Sequence, residues 1–319
     1  MRILVTGATG FVGRHLIELL LARKHEVFGT YLERESSQGA DRIRFFRCDV
    51  RQASRLRSIV RRIRPERIYH LAALSSVAES FKNVRAVYDI NFWGTFNLLE
   101  AVRHAVPKAR VLVVSSAQCY AATKRSQLPV TESHPLAPPS PYALSKAAAD
   151  MLAHQYHTLF GLHVIRARPY NHTGPGQTPH FVCSDFARQI AAIDLGLRPA
   201  LLRVGNLKVR RDFSDVRDVV RAYALLLEKG KPGEAYNVAS GRGTSLEEIV
   251  RLLASFCSRP IRVVVERKRF RPGDVPVLYG SNRKLRRTTG WKPEHNLQTT
   301  LRDLYFYWKD NLQTRKRRA

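Results

Sequence analysis

The chain has 319 residues, 44% hydrophobic and 25% charged, an ordinary globular composition that excludes disorder as a whole-chain description. Its longest apolar runs, such as 111–114 and 224–227, are too short to span a membrane, and the four cysteines (Cys48, Cys119, Cys183, Cys257) form no C-x-x-C pair, so neither a metal site nor a disulfide framework is expected. The net charge is +28, from 54 Lys and Arg against 26 Asp and Glu, but the excess is spread along the chain without a nucleic-acid-binding signature, so a nucleic-acid partner is not expected and a small anionic substrate is favoured.

Arg2-Ile-Leu-Val-Thr6 reads as a strand that runs straight into a glycine turn. No secretory leader is therefore expected, and the compartment reads as cytoplasmic. Helical spacing follows over 11–23, a strand over 25–28, a strand over 42–46, a helix over 51–62 and a strand over 67–71. A long helix covers 84–104, a buried strand 110–114, a helix begins near Tyr142, and 162–167 is a further strand. Alternation at this rhythm implies parallel strands with right-handed crossovers. The expected fold is α/β, a Rossmann-type doubly wound parallel sheet. After Arg168 the rhythm breaks into Pro, Gly, Asn and Thr. Helices over 181–195, 216–228, 245–257 and 297–311, with strands at 201–204 and 235–238, make a smaller C-terminal α/β lobe. The expected division gives residues 1–168, with about 205–240, to cofactor binding. Residues 169–204 and 241–319 are left for the substrate.

Thr6-Gly7-Ala8-Thr9-Gly10-Phe11-Val12-Gly13 lies between the first strand and first helix. Gly7 would make the tight turn, Gly10 would let the backbone approach a pyrophosphate, and Gly13 would let helix and sheet pack closely. The free N–H groups of the helix start, with Phe11 and Val12, would face the phosphates. At the end of the second strand, where an NAD enzyme commonly carries an acid, this chain has Gly29-Thr30-Tyr31 and then Glu33-Arg34. Arg34 would face a 2′-phosphate, so NADP(H) is the expected cofactor, with NAD(H) as the alternative. Asp49, followed by Val50, would accept the adenine amino group or cap the next helix.

Tyr142-Ala-Leu-Ser-Lys146 puts a phenol and an ammonium one helical turn apart on the same face. Ser115 and Ser116 end the strand at Val114, and parallel strands present such ends to the ligand crevice. Reducing a ketone places negative charge on oxygen as hydride reaches carbon. Tyr142 would protonate that oxygen, Ser116 would polarise it, and Lys146 would lower the phenol pKa and hold the cofactor ribose.

These motifs, with Leu71-Ala72-Ala73 and Asn91-Phe-Trp-Gly-Thr95, resemble the extended short-chain dehydrogenase/reductase family, which acts on nucleotide sugars. The resemblance covers nearly the whole chain. It implies a Rossmann domain, a sugar-nucleotide lobe and a homodimer through paired helices, and it places Ser116 rather than Ser115 on the catalytic position. Dehydratases of the family carry a carboxylate two residues after that position. Here Ala117 and Gln118 follow, and an amide has no titratable site near neutral pH. Arg168-Pro-Tyr-Asn-His-Thr-Gly-Pro-Gly-Gln177, Val204-Gly-Asn-Leu207 and Arg211-Asp-Phe-Ser-Asp-Val-Arg-Asp218 resemble the family's GDP-4-keto-6-deoxy-D-mannose reductases. By that resemblance Asn171 touches the nucleotide diphosphate, and Arg211 and Arg271 clamp it, as planar guanidinium groups suit. The expected function is NAD(P)H-dependent reduction of a GDP-4-keto-6-deoxy sugar to GDP-D-rhamnose. The alternatives are a GDP-mannose 4,6-dehydratase, a nucleotide-sugar 4-epimerase, or a basic Rossmann-fold protein that binds nucleic acid or a membrane surface.

Overall fold

The computed structural model describes residues 1–33, 43–120, 124–270 and 275–318. Seven parallel strands form the main sheet: β1 (Arg2–Thr6), β2 (Glu26–Tyr31), β3 (Arg44–Arg47), β4 (Arg67–His70), β5 (Arg110–Val114), β6 (Val164–Pro169) and, far along the chain, a strand over Ala235–Val238. In spatial order that last strand comes first, followed by β6, β5, β4, β1, β2 and β3. Alternate residues of each central strand enter opposite cores. Ile3 and Val5 of β1 pack on one face with α1 (Phe11–Ala22), whereas Leu4 packs on the other with α2 (Ala53–Ile63) and two further helices, α5 (Gly94–Ala105) and α6 (Pro141–Phe160). Both sides of the sheet are covered, which is why its strands read as continuous apolar runs rather than alternating ones. The chain leaves β1 toward β2 and β3, then returns to place β4 on β1's other side. The reversal opens a crevice at the C-terminal ends of β1 and β4, where ligands of such sheets bind.

Two short helices, α3 (Val77–Lys82) and α4 (Val84–Tyr88), precede α5, and a π-helical turn over Asp89–Trp93 joins α4 to α5. The apolar spacing over 84–104 predicts one uninterrupted helix; the structure places a wider turn within it. Such turns recur at functional sites.

After β6 come β7 (Asn171–Thr173), α7 (Val182–Asp194), β8 (Leu201–Val204), β9 (Arg210–Arg211), β10 (Phe213–Asp215) and α8 (Val216–Lys229). The Ala235–Val238 strand is β11, followed by β12 (Thr244–Ser245), α9 (Leu246–Ala254), β13 (Arg262–Val265), β14 (Val277–Leu278), α10 (Arg283–Thr289) and α11 (Leu297–Arg318). Helix α8 packs back on the main sheet with α1, through Val219, Tyr223 and Leu226. Helices α7, α9 and α11 instead enclose a core of their own with β8, built on Phe186, Ile190, Leu253, Leu304 and Tyr305. The parallel pair β7–β10 joins the two regions above the sheet. No helix among the described residues is long and apolar enough to cross a membrane.

Candidate active site

The glycine turn needs its glycines at different positions for different reasons. Gly7 has φ +68°, and a Cβ there would lie 2.8 Å from the Ala72 backbone nitrogen. A Cβ on Gly13 would lie 2.6 Å from two backbone carbonyl oxygens. Both positions are fixed by the protein's own packing. Gly10 is different: a Cβ would meet only the Gly7 oxygen, at 3.2 Å. Gly10 caps α1 without a side-chain hydrogen bond, and the first turn holds no acid. The leading N–H groups therefore have no side-chain acceptor, and the cradle fits a pyrophosphate. Phe11 stacks on His172, ring centroids 6.2 Å apart, which ties the turn to the β7 loop. Leu71 and Ala72 close the other wall, their N–H groups donating to the Thr6 carbonyl and Thr6 Oγ1. Ala73 follows, part-buried, and buried Val50 leaves no room for a side chain at Gly94.

Ser140 starts the catalytic-helix candidate α6 by accepting from the Ala143 N–H, with Pro141 at its first position. Tyr142 and Lys146 project from its first turns, both buried. Ser115 and Ser116 part company. Ser115 Oγ donates to the Lys146 carbonyl at 3.2 Å and so joins β5 to α6. Ser116 Oγ accepts from the Gln118 N–H and lies close enough to the Tyr142 phenol to lower its pKa. Ser116 and Tyr142 are thus neighbours, with Lys146 one turn further along α6.

The electrostatics correct one expectation. Burial pushes the Tyr142 phenol up to about 12, against a smaller downward pull from Ser116. It pushes Lys146 down to about 8, with Asp150 among the groups resisting. Lys146 does not make this phenol acidic, because loss of water around both groups outweighs their spacing. At neutral pH the pair is a protonated phenol beside a mostly protonated amine. That is the form a proton donor to a developing alkoxide needs.

Sequence reasoning missed the groups that hold this arrangement. Buried His70, at the end of β4, bonds Thr6 Oγ1 through Nδ1 at 2.8 Å and Thr95 Oγ1 through Nε2 at 3.1 Å. Burial, then the Lys146 charge, pushes His70 down to about 3, so the ring is neutral. Thr95 spends its hydroxyl hydrogen on the Asn91 carbonyl at 2.6 Å. Nε2 must therefore carry the imidazole proton, and Nδ1 accepts from Thr6. Asn91, in the π-helical turn, holds both backbone groups of Leu74 and donates to Ser145 Oγ, which donates to the Tyr142 carbonyl. A continuous hydrogen-bond chain thus runs from the glycine turn to the catalytic helix. Behind it, Asp150, two turns below Tyr142, accepts from Arg166 and Arg168 at 2.7–2.9 Å. Burial pushes Asp150 up, but the Arg168 hydrogen bonds prevail and leave it below the usual carboxylate range. Arg168 goes on to Tyr120 and the Glu132 carbonyl.

The remaining expected residues are less clearly assembled. Asp49 accepts from the Arg51 N–H and guanidinium at 2.6–3.1 Å, so both its oxygens are engaged at the entry to α2. Asn171 donates to the Asp212 carbonyl, and Arg211 to the Arg210 carbonyl. Arg34 and Arg271 lie outside the described residues. Gln118 stands in the short 3-10 turn after Ser116 and brings no carboxylate there. Among the described residues, no group of three or more His, Cys, Asp or Glu is placed to hold a metal.

Comparison with known proteins gives a consistent picture. A family model described as GDP-mannose 4,6 dehydratase matches residues 4–304. The GDP-6-deoxy-D-mannose reductase of Pseudomonas aeruginosa is 35% identical over 312 residues, covering 98% of each chain. GDP-mannose 4,6 dehydratase 2 of Arabidopsis thaliana is 32% identical, over 91% of this chain and 82% of its own. Among solved structures, RMD from Pseudomonas aeruginosa complexed with NADPH aligns with a TM-score of 0.86 at 34% identity, covering 97% of this chain and 99% of that one. The Thermus thermophilus UDP-glucose 4-epimerase complex with NAD aligns at 0.85 and 30% identity, over 97% and 99%.

Proposed function

The chain belongs to the extended short-chain dehydrogenase/reductase family, in the group matched by the GDP-mannose 4,6-dehydratase model, and we propose that it reduces the 4-keto group of GDP-4-keto-6-deoxy-D-mannose to give GDP-D-rhamnose. The observation that carries this reading is the likeness over 98% of both chains to a GDP-6-deoxy-D-mannose reductase, with buried Ser116 and Tyr142 as neighbours at the crevice. The amide at Gln118 supports the same choice.

Bound NAD(P)H supplies the hydride. Tyr142 donates its proton to the C4 oxygen as charge develops there. Ser116 Oγ accepts from the Gln118 N–H, and its hydroxyl donates to the same C4 oxygen. Lys146 places positive charge beside the phenolate that results and holds the ribose. Gly7, Gly10, Phe11, Val12 and Gly13 seat the pyrophosphate, with Val50, Leu71, Ala72 and Ala73 along the nucleotide. We assign cofactor binding to 1–168 with 205–240, and the sugar nucleotide to 169–204 and 241–319, with Asn171, Arg211 and Arg271 on its diphosphate. NADP(H) is the preferred cofactor, supported by the absence of an acid at the end of β2 and by the NADPH complex of the Pseudomonas protein.

A homodimer is supported by α6, which exposes Leu144, Met151, Leu159 and Phe160, near Trp93 of the π-helical turn. The free cysteines suit a cytoplasmic location. The test is direct. The protein with the keto sugar and NADPH should oxidise the dihydronicotinamide in step with product formation. GDP-mannose consumed without NADPH would instead establish a dehydratase.

A further inference from the structure

A cavity of about 910 Å³ opens between α10 and the 129–133 segment, and none of the proposed catalytic, cofactor or substrate residues lines it. Five cations face it, Arg283, Lys284, Arg286, Arg287 and Lys292, against one carboxylate, Glu132. That carboxylate is engaged in the fold, accepting the Asn237 N–H at 2.8 Å. Cations close to the cavity are neutralised: Arg221 pairs with Asp218 and Glu294, and Lys284 with Glu234. Arg283, Arg286, Arg287 and Lys292 are exposed and make no ion pair with a described residue. On a helix of seven residues, Arg283 faces both Arg286 and Arg287 at spacings of three and four, an arrangement that like charges disfavour. Four cations without a counter-charge among the described residues thus gather on one wall of the cavity. The hydroxyls of Thr131, Ser133 and Ser281 also line it and supply neutral hydrogen-bonding groups.

We propose that this cavity binds a small phosphate-rich anion of the oligophosphate class, at a site separate from the catalytic crevice. Guanidinium forks pair with phosphate oxygens two at a time, and a cluster of them suits adjacent phosphates. A polymer strung across the surface would draw equally on scattered cations such as the arginines of α2.

The test is calorimetric titration of the full chain with inorganic tripolyphosphate, at low and moderate salt, with and without saturating NADPH. Arg286→Gln/Arg287→Gln alters only exposed side chains, and Arg57→Gln/Arg61→Gln on α2 removes the same charge elsewhere. The expected result is saturable binding that survives moderate salt and NADPH. The α10 variant should weaken it about tenfold or more, because two charge-assisted contacts are lost, while the α2 variant and keto-sugar turnover stay as in the parent. Equal weakening by both variants would overturn the proposal, as would loss of binding with NADPH or absence of binding at moderate salt. Binding of an oligodeoxythymidylate but not of tripolyphosphate would overturn it in favour of nucleic acid.

Discussion

Lys146→Met should stabilise the protein while disabling it. Lys146 is 7% exposed, and burial holds its pKa near 8 rather than 10.5. A difference of that size corresponds to roughly 3 kcal/mol. The group is depressed in the folded state, so the cost is fully present at pH 7, where both states carry the proton. It fades as pH rises through 8 toward 10.5, because the folded state releases its proton first. Methionine keeps most of the volume and removes the charge. Thermal unfolding without cofactor should therefore show the variant more stable at pH 7, by up to about 3 kcal/mol or several degrees, and the advantage should shrink below about 1 kcal/mol near pH 10. Turnover should fall about a hundredfold or more, a trade of stability for function. A variant no more stable at pH 7, or equally advantaged at both pH values, would refute the reasoning.

Turnover in the reductive direction should be flat from pH 6 to about 7.5, since Tyr142 is held near 12, and should decline above pH 8 as Lys146 loses its proton; a rise across that range in a pH–rate profile would contradict the assignment. Gly10→Ala should leave the melting temperature nearly unchanged but abolish NADPH binding by fluorescence titration, whereas Gly13→Ala, facing backbone at 2.6 Å, should destabilise the fold itself. Asp150→Asn should cost about 3–5 kcal/mol in denaturant unfolding, because it leaves Arg166 and Arg168 buried without their counter-charge.

Much of the fold was legible because its signals are long. β1 to β6 and most of the main helices carry apolar runs or helical periodicity, and their bounds fall within a few residues of expectation, whereas α11 runs seven residues past the expected 311. What escaped is short or breaks the period. The strands β7, β9, β10, β12 and β14 hold two or three residues each, too few for alternation to show. Helix α10 has one buried leucine, Leu285, among charges, so its apolar pattern is faint. The π-helical turn adds a wider loop of backbone inside a sequence that reads as ordinary helix. At the site, spacing revealed that Tyr142 and Lys146 share a face but not that water is excluded around them. Hence the partnership was readable and the direction of the phenol's shift was not. His70 carried a usable signal: a histidine at the C-terminal end of a central strand, where the crevice opens.

The central claim is net delivery of hydride to C4 with the proton from Tyr142. Supplying NADPH deuterated on the transferred position and analysing the product by NMR tests it most directly. The account predicts one deuterium on C4 per turnover, and a Tyr142→Phe variant that binds NADPH normally but turns over about a thousandfold more slowly. Product without deuterium, or full turnover by the phenylalanine variant, would contradict it.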